Sequence, residues 1–112
     1  MGVTIYHNPK CSKSRQTLAL LQEKGIEPEV IEYMNNPLNV ADLKSVLSKL
    51  GLGPREILRS KEAKEEGIEK LLDGDDIIAA IASHPRAMQR PIVVKGNKAV
   101  IGRPPENVFK IF

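Results

Sequence analysis

The sequence predicts an α/β protein in which helices flank a mixed sheet. Residues 3–6 and 30–33 are β-prone runs on either side of a helical pattern, the order of a parallel βαβ unit. Residues 92–94 and 99–101 are β-prone runs on either side of a short turn, which predicts an antiparallel hairpin. Helical patterns fill most of the chain between these two units. One sheet with parallel and antiparallel pairs therefore follows.

The first unit begins with an apolar run, Val3–Tyr6, and the proline at position 9 places its end in a loop. A helical pattern starts at Ser12 and continues to Gly25, a residue suited to the left-handed position after a helix. Its apolar face includes Leu18 and Leu21. Val30–Tyr33 then predicts the second strand, parallel to the first.

The middle of the chain predicts helices only. Asn39 can cap a helix that stops at Gly51 and has an apolar stripe at Leu43, Val46, Leu47 and Leu50. Pro54 suits the first turn of a short helix, and the charged stretch Lys61–Lys70 predicts an exposed helical segment. A last helix starts at Asp75 or Asp76, buries Ile77, Ile78 and Ile81, and ends at His84-Pro85.

The predicted hairpin joins Ile92–Val94 to Ala99–Ile101, with Gly96-Asn97 at a tight turn. Pro104-Pro105 opens a terminal helix that has Val108 and Ile111 on one face. This order, with no internal repeat, is compatible with a thioredoxin-like sheet.

Composition excludes several classes of protein. The chain has 112 residues, which suits one domain, and no apolar stretch approaches the roughly 18 residues of a membrane helix. A net charge of +3 and 4% aromatic residues without Trp argue against a nucleic-acid interface. One cysteine excludes an intrachain disulfide and a Cys-rich zinc site. The first twenty residues lack a secretory signal pattern, so we expect a cytoplasmic protein that contacts no membrane.

The residues best suited to chemistry surround Cys11. This cysteine lies between a strand end and a helix start, where free backbone N–H groups and the helix dipole stabilise a thiolate. Lys10, Lys13 and Arg15 add positive charge, and the same N–H groups can hold an oxyanion against the sulfur. We therefore predict a nucleophilic cysteine in an anion-binding loop.

Ser14 stands where a Cys-x-x-Cys motif has its second cysteine, so Cys11 needs a thiol from another molecule to form a disulfide. His7 lies four residues before Cys11, where it either supports the fold or tunes the thiol. The two histidines, His7 and His84, form no metal-ligand pattern, and no Gly-rich nucleotide loop is present. We expect no bound metal or organic cofactor.

Three arginines each border an apolar segment: Arg59, Arg90 and Arg103. An arginine at the end of an element can direct its charged, planar fork into a cleft and bind a tetrahedral oxyanion at two points. The sequence alone does not show whether the three side chains meet at one site. Pro91 after Arg90 also allows a cis peptide bond at the start of a strand.

Four segments together resemble the glutaredoxin-linked arsenate reductase family: Ile5 to Arg15, Leu58-Arg59, Arg90 to Val94 and Ile101 to Pro104. The resemblance implies a single thioredoxin-like domain over residues 1–112, with a helical subdomain inserted at about 39–85. It implies that Cys11 is the nucleophile, that Arg59, Arg90 and Arg103 form an arginine triad, and that the Arg90-Pro91 bond is cis. The Cys-Ser-Lys-Ser sequence of the loop resembles that of one branch of the family, whose members are often called arsenate reductases by likeness alone.

We expect the loop to bind the oxyanion through Asn8, Ser12, Lys13, Ser14 and Arg15, and we expect His7 and Pro91 to support it. The resemblance implies that Cys11 attacks arsenate, that glutathione adds to the adduct and releases arsenite, and that glutaredoxin reduces the remaining mixed disulfide. Two alternatives stay open. One is a redox-linked regulator that binds RNA polymerase, and the other is a glutathione-dependent reductase of another substrate.

Overall fold

The computed structural model describes residues 2–71 and 73–112. These residues divide into two compact units, one formed by residues up to 36 together with 90–112 and the other by residues 37–89. The first contains the sheet, and the second is made of α-helices and 3₁₀ helices.

The sheet has four strands in the order β2-β1-β3-β4. They are β1 (Val3–His7), β2 (Glu29–Glu32), β3 (Ile92–Lys95) and β4 (Lys98–Ile101). β1 pairs with β2 in parallel, and it pairs with β3 antiparallel on its other side. A two-residue turn joins β3 to β4, and Gly96 in that turn has a φ of 60°, which favours glycine. The mixed sheet with flanking helices confirms the predicted fold class.

One helix of the sheet unit, α1 (Ser12–Glu23), follows β1 and ends where Gly25 adopts a φ of 75°. The 3₁₀ helix Pro105–Ile111 packs against α1 and β4. Alternation along β1 directs Val3, Ile5 and His7 to the buried side. The core of this unit joins strand, helix and 3₁₀ residues: Val3, Ile5, Leu21, Val93, Val108 and Ile111.

The helical unit contains α2 (Val40–Leu50), α3 (Ser60–Glu65) and α4 (Gly74–Ser83), together with 3₁₀ helices at Pro54–Ile57 and Pro85–Ala87. Asn39 caps α2 by accepting the N–H of Asp42 at 2.7 Å, and Gly51 ends the helix in the left-handed region, as predicted. Buried apolar side chains hold the unit together: Leu43, Val46, Leu47, Ile57, Ile77, Ile78 and Ile81.

The sequence prediction was wrong in two places. The helix expected over Lys61–Lys70 ends at Glu65, because Gly67 turns left-handed with a φ of 74° and the N–H of Ile68 donates to the carbonyl of Ala63. Glu62 and Ala63 are also buried rather than exposed. The segment after Pro104 was expected to be an ordinary helix and is a 3₁₀ helix instead.

Candidate active site

Cys11 is the N-cap residue of α1, at the end of the loop that follows β1. The loop is closed by its own backbone, since the N–H of Cys11 donates to the carbonyl of Asn8 at 2.9 Å. The side-chain oxygen of Asn8 accepts the N–H of Lys10 at 3.0 Å. The N–H groups of Lys13 and Ser14, in the first turn of α1, face the half-buried sulfur and any anion beside it.

Two predicted arginines reach this sulfur within the sheet unit. Arg103 follows β4, and its Nη2 donates to Cys11 Sγ at 3.4 Å. Arg90 precedes β3, and its side chain also hydrogen-bonds the sulfur. The two arginines are linked because Arg103 Nε donates to the carbonyl oxygen of Arg90 at 2.7 Å. The peptide bond Arg90–Pro91 is cis, as predicted, and Pro91 is fully buried.

These contacts decide the ionisation of the thiol. Burial by itself raises the pKa of Cys11, but the backbone N–H of Ser14, the Arg90 side chain, the charge of Arg103 and the N–H of Lys13 act in the opposite direction. Their combined effect lowers the pKa of Cys11 below its ordinary value. Near neutral pH a larger fraction of Cys11 is therefore ionised than of an ordinary cysteine, and the thiolate is the nucleophilic form.

Ser14 and His7 form a buried pair behind the loop. Ser14 Oγ lies 2.6 Å from His7 Nδ1 and accepts the N–H of Asn8 at 3.0 Å. Burial lowers the pKa of His7, Glu32 opposes this, and Arg15 adds to it. A neutral imidazole protonated at Nε2 accepts a hydrogen bond at Nδ1 from the Ser14 hydroxyl group. The Ser14 side chain is fully enclosed, so Ser14 faces the sulfur through its backbone N–H.

The remaining predicted loop residues are exposed. Ser12 and Lys13 begin α1 with exposed side chains. Arg15 is also exposed, and its Nη1 donates to the carbonyl oxygen of Pro9 at 2.8 Å, which ties the first turn of α1 to the loop. Of these side chains, Arg15 is the one with a described contact to the loop backbone.

Arg59 belongs to the helical unit. It precedes α3, and its N–H donates to the carbonyl of Ala87 at 2.7 Å. Its Nε forms an ion pair with Glu62 at 3.2 Å. The segments around Leu58 and Met88 pair as an isolated antiparallel bridge, which fixes the backbone that carries this arginine.

Gly102, between β4 and Arg103, belongs to the site although the sequence alone gave it no role. A Cβ on this residue would stand 2.6 Å from Thr17 Oγ1 and 3.0 Å from the ring of Pro91. Its N–H donates to the carbonyl of Pro91 at 2.9 Å. Glycine is thus required where β4 passes α1, and the signal available in the sequence was a glycine directly before a candidate arginine.

Residues 2–71 and 73–112 contain neither a metal-binding cluster nor a membrane-spanning helix. These residues contain no group of three His, Cys, Asp or Glu side chains arranged to hold a metal ion. In the same residues, every helix is too short or too polar to cross a membrane.

Comparison with known proteins gives consistent matches over nearly the whole chain. Residues 6–111 match the sequence profile of the ArsC family. The chain is 49% identical over 113 residues to the uncharacterized protein YfgD of Escherichia coli (strain K12), covering 97% of this chain and 95% of YfgD. It is 46% identical over 110 residues to the arsenate reductase of Neisseria meningitidis serogroup A, covering 95% and 94% of the two chains. The solved arsenate reductase of Vibrio cholerae superposes with a TM-score of 0.93 at 46% identity, covering 100% of this chain and 98% of that chain.

Proposed function

Because this chain belongs to the ArsC family, we propose that it is an arsenate reductase in which the Cys11 thiolate is the nucleophile. The relatives named arsenate reductase support arsenate as the substrate. The observation that carries the chemistry is the approach of Arg103 Nη2 to Cys11 Sγ at 3.4 Å, beside the first N–H groups of α1. A cation and free N–H groups around one thiolate suit the attack of that thiolate on an oxyanion.

In the first step the Cys11 thiolate attacks the arsenic of arsenate. A sulfur–arsenic bond forms, and an arsenic–oxygen bond breaks as hydroxide or, after protonation, water leaves. Arg90 and Arg103 offset the negative charge of the arsenate oxygens, and the N–H groups of Lys13 and Ser14 add to this effect. Removing one such donor typically lowers the rate about 100-fold or more.

In the second step glutathione supplies the electrons, because Cys11 is the single cysteine of the chain. The glutathione thiolate attacks Cys11 Sγ, the sulfur–arsenic bond breaks, and its electron pair stays on arsenic, which leaves as arsenite. The two sulfurs are oxidised to a mixed disulfide. A glutaredoxin thiolate then attacks the glutathione sulfur and releases the Cys11 thiolate. Both donors are cytoplasmic thiols, so the proposal places the protein in the cytoplasm.

Arg59 is proposed as a third cation of the site, because its Leu58-Arg59 segment is one of the four that resemble the family. Asn8, Ser12, Lys13 and Arg15 are proposed to line the oxyanion side of the loop, and His7 and Pro91 to support it. We propose, as the resemblance implies, that residues 1–112 act as one domain. The test of the Arg59 role is whether arsenate protects Cys11 from alkylation less well after Arg59→Gln.

The test of the function is the oxidation of glutathione that depends on arsenate. Purified protein, glutathione, glutaredoxin and glutathione reductase are mixed, and NADPH consumption is followed with and without arsenate. We expect arsenate-dependent consumption with the wild-type chain and none with Cys11→Ser. Mass spectrometry should find glutathione on Cys11 when glutaredoxin is left out.

Full turnover by Cys11→Ser would overturn the mechanism. A reactive Cys11 that becomes glutathionylated but gives no arsenate turnover would instead identify a reductase with a different substrate. His84→Gln serves as the control variant, because His84 has no role in the proposed site and its described side-chain partner is Glu66, at 3.3 Å. It should keep the wild-type rate.

A further inference from the structure

The 3₁₀ helix Pro105–Ile111 contains an asparagine whose contacts lead back to the Cys11 site. Asn107 Nδ2 donates to the carbonyl oxygen of Arg103 at 2.9 Å. The backbone N–H of the same residue donates to the carbonyl oxygen of Pro104 at 3.0 Å. Asn107 therefore holds two consecutive carbonyl groups, one of which belongs to the arginine that contacts the sulfur.

The backbone bonding of this turn leaves the Arg103 carbonyl group to a side chain. The residue four positions on is Asn107, and its own N–H donates to Pro104 instead of to Arg103. The side-chain amide of Asn107 supplies a donor from the next turn. It lies half-buried on the 3₁₀ helix that packs against α1 and β4.

The other end of Arg103 is equally constrained. Its Nε donates to the Arg90 carbonyl at 2.7 Å, which fixes the plane of the guanidinium group, and its Nη2 reaches Cys11 Sγ at 3.4 Å. A long side chain has several rotatable bonds, so holding its tip at one atom requires that its backbone be fixed as well. Asn107 fixes the backbone end, and the Arg90 carbonyl fixes the head group.

We propose that Asn107 is a positioning residue of the active site, which holds the Arg103 backbone so that the guanidinium group faces Cys11. The inference rests on the proposed roles of Cys11 and Arg103. It makes no use of arsenate or of the electron donor, so it can be tested even if the substrate proves to be another compound.

The test is the rate of Cys11 alkylation by iodoacetamide as a function of pH in four proteins: wild type, Asn107→Ala, Arg103→Gln and the double variant. Alkylation reports the thiolate fraction of the one cysteine. We expect Asn107→Ala to shift the profile to higher pH and to lower the rate near pH 7 by about two- to fivefold. In the Arg103→Gln background the same substitution should change nothing further, because coupled residues are not additive.

An equal shift in both backgrounds would show that Asn107 acts without Arg103, and an unchanged profile for Asn107→Ala would show that it does not act on the site. Either result overturns the proposal. Asn97→Ala, at the exposed β3–β4 turn, is the matched control and should keep the wild-type profile. If Asn107→Ala does not fold, Asn107→Leu, similar in shape and also unable to donate, is measured with the same expectations. Arsenate turnover is measured separately, so its absence cannot be mistaken for failure of this inference.

Discussion

Replacing Gly102 with alanine should both destabilise the protein and disturb the site. The new Cβ would lie 2.6 Å from Thr17 Oγ1, whereas ordinary contact begins at 3.4 Å, so the two groups must separate by roughly 0.8 Å. Thr17 is fully buried in α1 and cannot turn away into solvent. Overpacking of this kind costs about 1–3 kcal/mol. We therefore expect Gly102→Ala to lower the free energy of unfolding by about 2 kcal/mol.

Urea denaturation measures this cost as a lower midpoint with an unchanged slope. Thr17→Ala removes two of the three side-chain atoms that the new Cβ would meet, and alone it should cost about 1–2 kcal/mol through the lost bond to the Lys13 carbonyl and the space left behind. The double variant should then be at least about 1 kcal/mol more stable than the sum of the two single effects predicts.

The reasoning is refuted if Gly102→Ala stays within about 0.5 kcal/mol of the wild type, or if the two substitutions are additive. Gly53→Ala is the matched control, since a Cβ added there would meet nothing within 4 Å and the φ of −86° suits any residue. Gly102→Ala should also slow Cys11 alkylation near pH 7, because Arg103 and Pro91 adjoin the overcrowded position.

Three further outcomes are expected. Arg103→Gln removes a cation that lowers the pKa of Cys11, so alkylation near pH 7 should slow by about three- to tenfold. Burial lowers the pKa of His7 below its unfolded value of 6.5. The unfolded chain therefore binds this proton at a higher pH than the folded chain does, and the free energy of unfolding in urea should decline as the pH falls below 6.5. His7→Gln should remove this part of the decline. Asn39→Ala removes the cap of α2 and should cost about 1 kcal/mol of urea stability.

Each outcome has its own control. Arg86→Gln removes an exposed arginine paired with Glu65 and Glu66, and a comparable slowing of alkylation there would contradict the argument for Arg103. A steeper or unchanged pH dependence of stability in His7→Gln would contradict the assignment of that proton to His7. Asn36→Ala, an exposed asparagine before α2, should leave stability unchanged; a loss equal to that of Asn39→Ala would remove the capping argument.

The fold was predictable because its signals are local. The cap at Asn39, the glycine at position 51 and the two-residue turn at Gly96-Asn97 each specify a boundary through their own backbone chemistry. The resemblance carried by four separated segments is confirmed by the match of residues 6–111 to the ArsC family, and the predicted thioredoxin-like class agrees with the solved relatives. The region around Gly67 was missed because a left-handed glycine inside a charged helical pattern leaves the polar periodicity unchanged.

The site was predictable as a set of residue types but not as a set of contacts. A cysteine between a strand and a helix indicates a stabilised thiolate, and this requires no knowledge of distant residues. The close passage of Gly102 past Thr17 and the approach of Arg90 and Arg103 to Cys11 depend on tertiary packing. No periodicity in a single sequence encodes such approaches, so they emerge only in the folded chain.

The hydrogen bond between Arg103 and Cys11 joins residues 92 positions apart, and both strands of the β3–β4 hairpin lie between them. The charges of Arg90 and Arg103 therefore act on the thiol only once this hairpin has paired with β1, whereas the N–H groups of Lys13 and Ser14 lie beside Cys11 in the sequence. The part of the Cys11 reactivity that these two cations supply is thus acquired only with the tertiary structure.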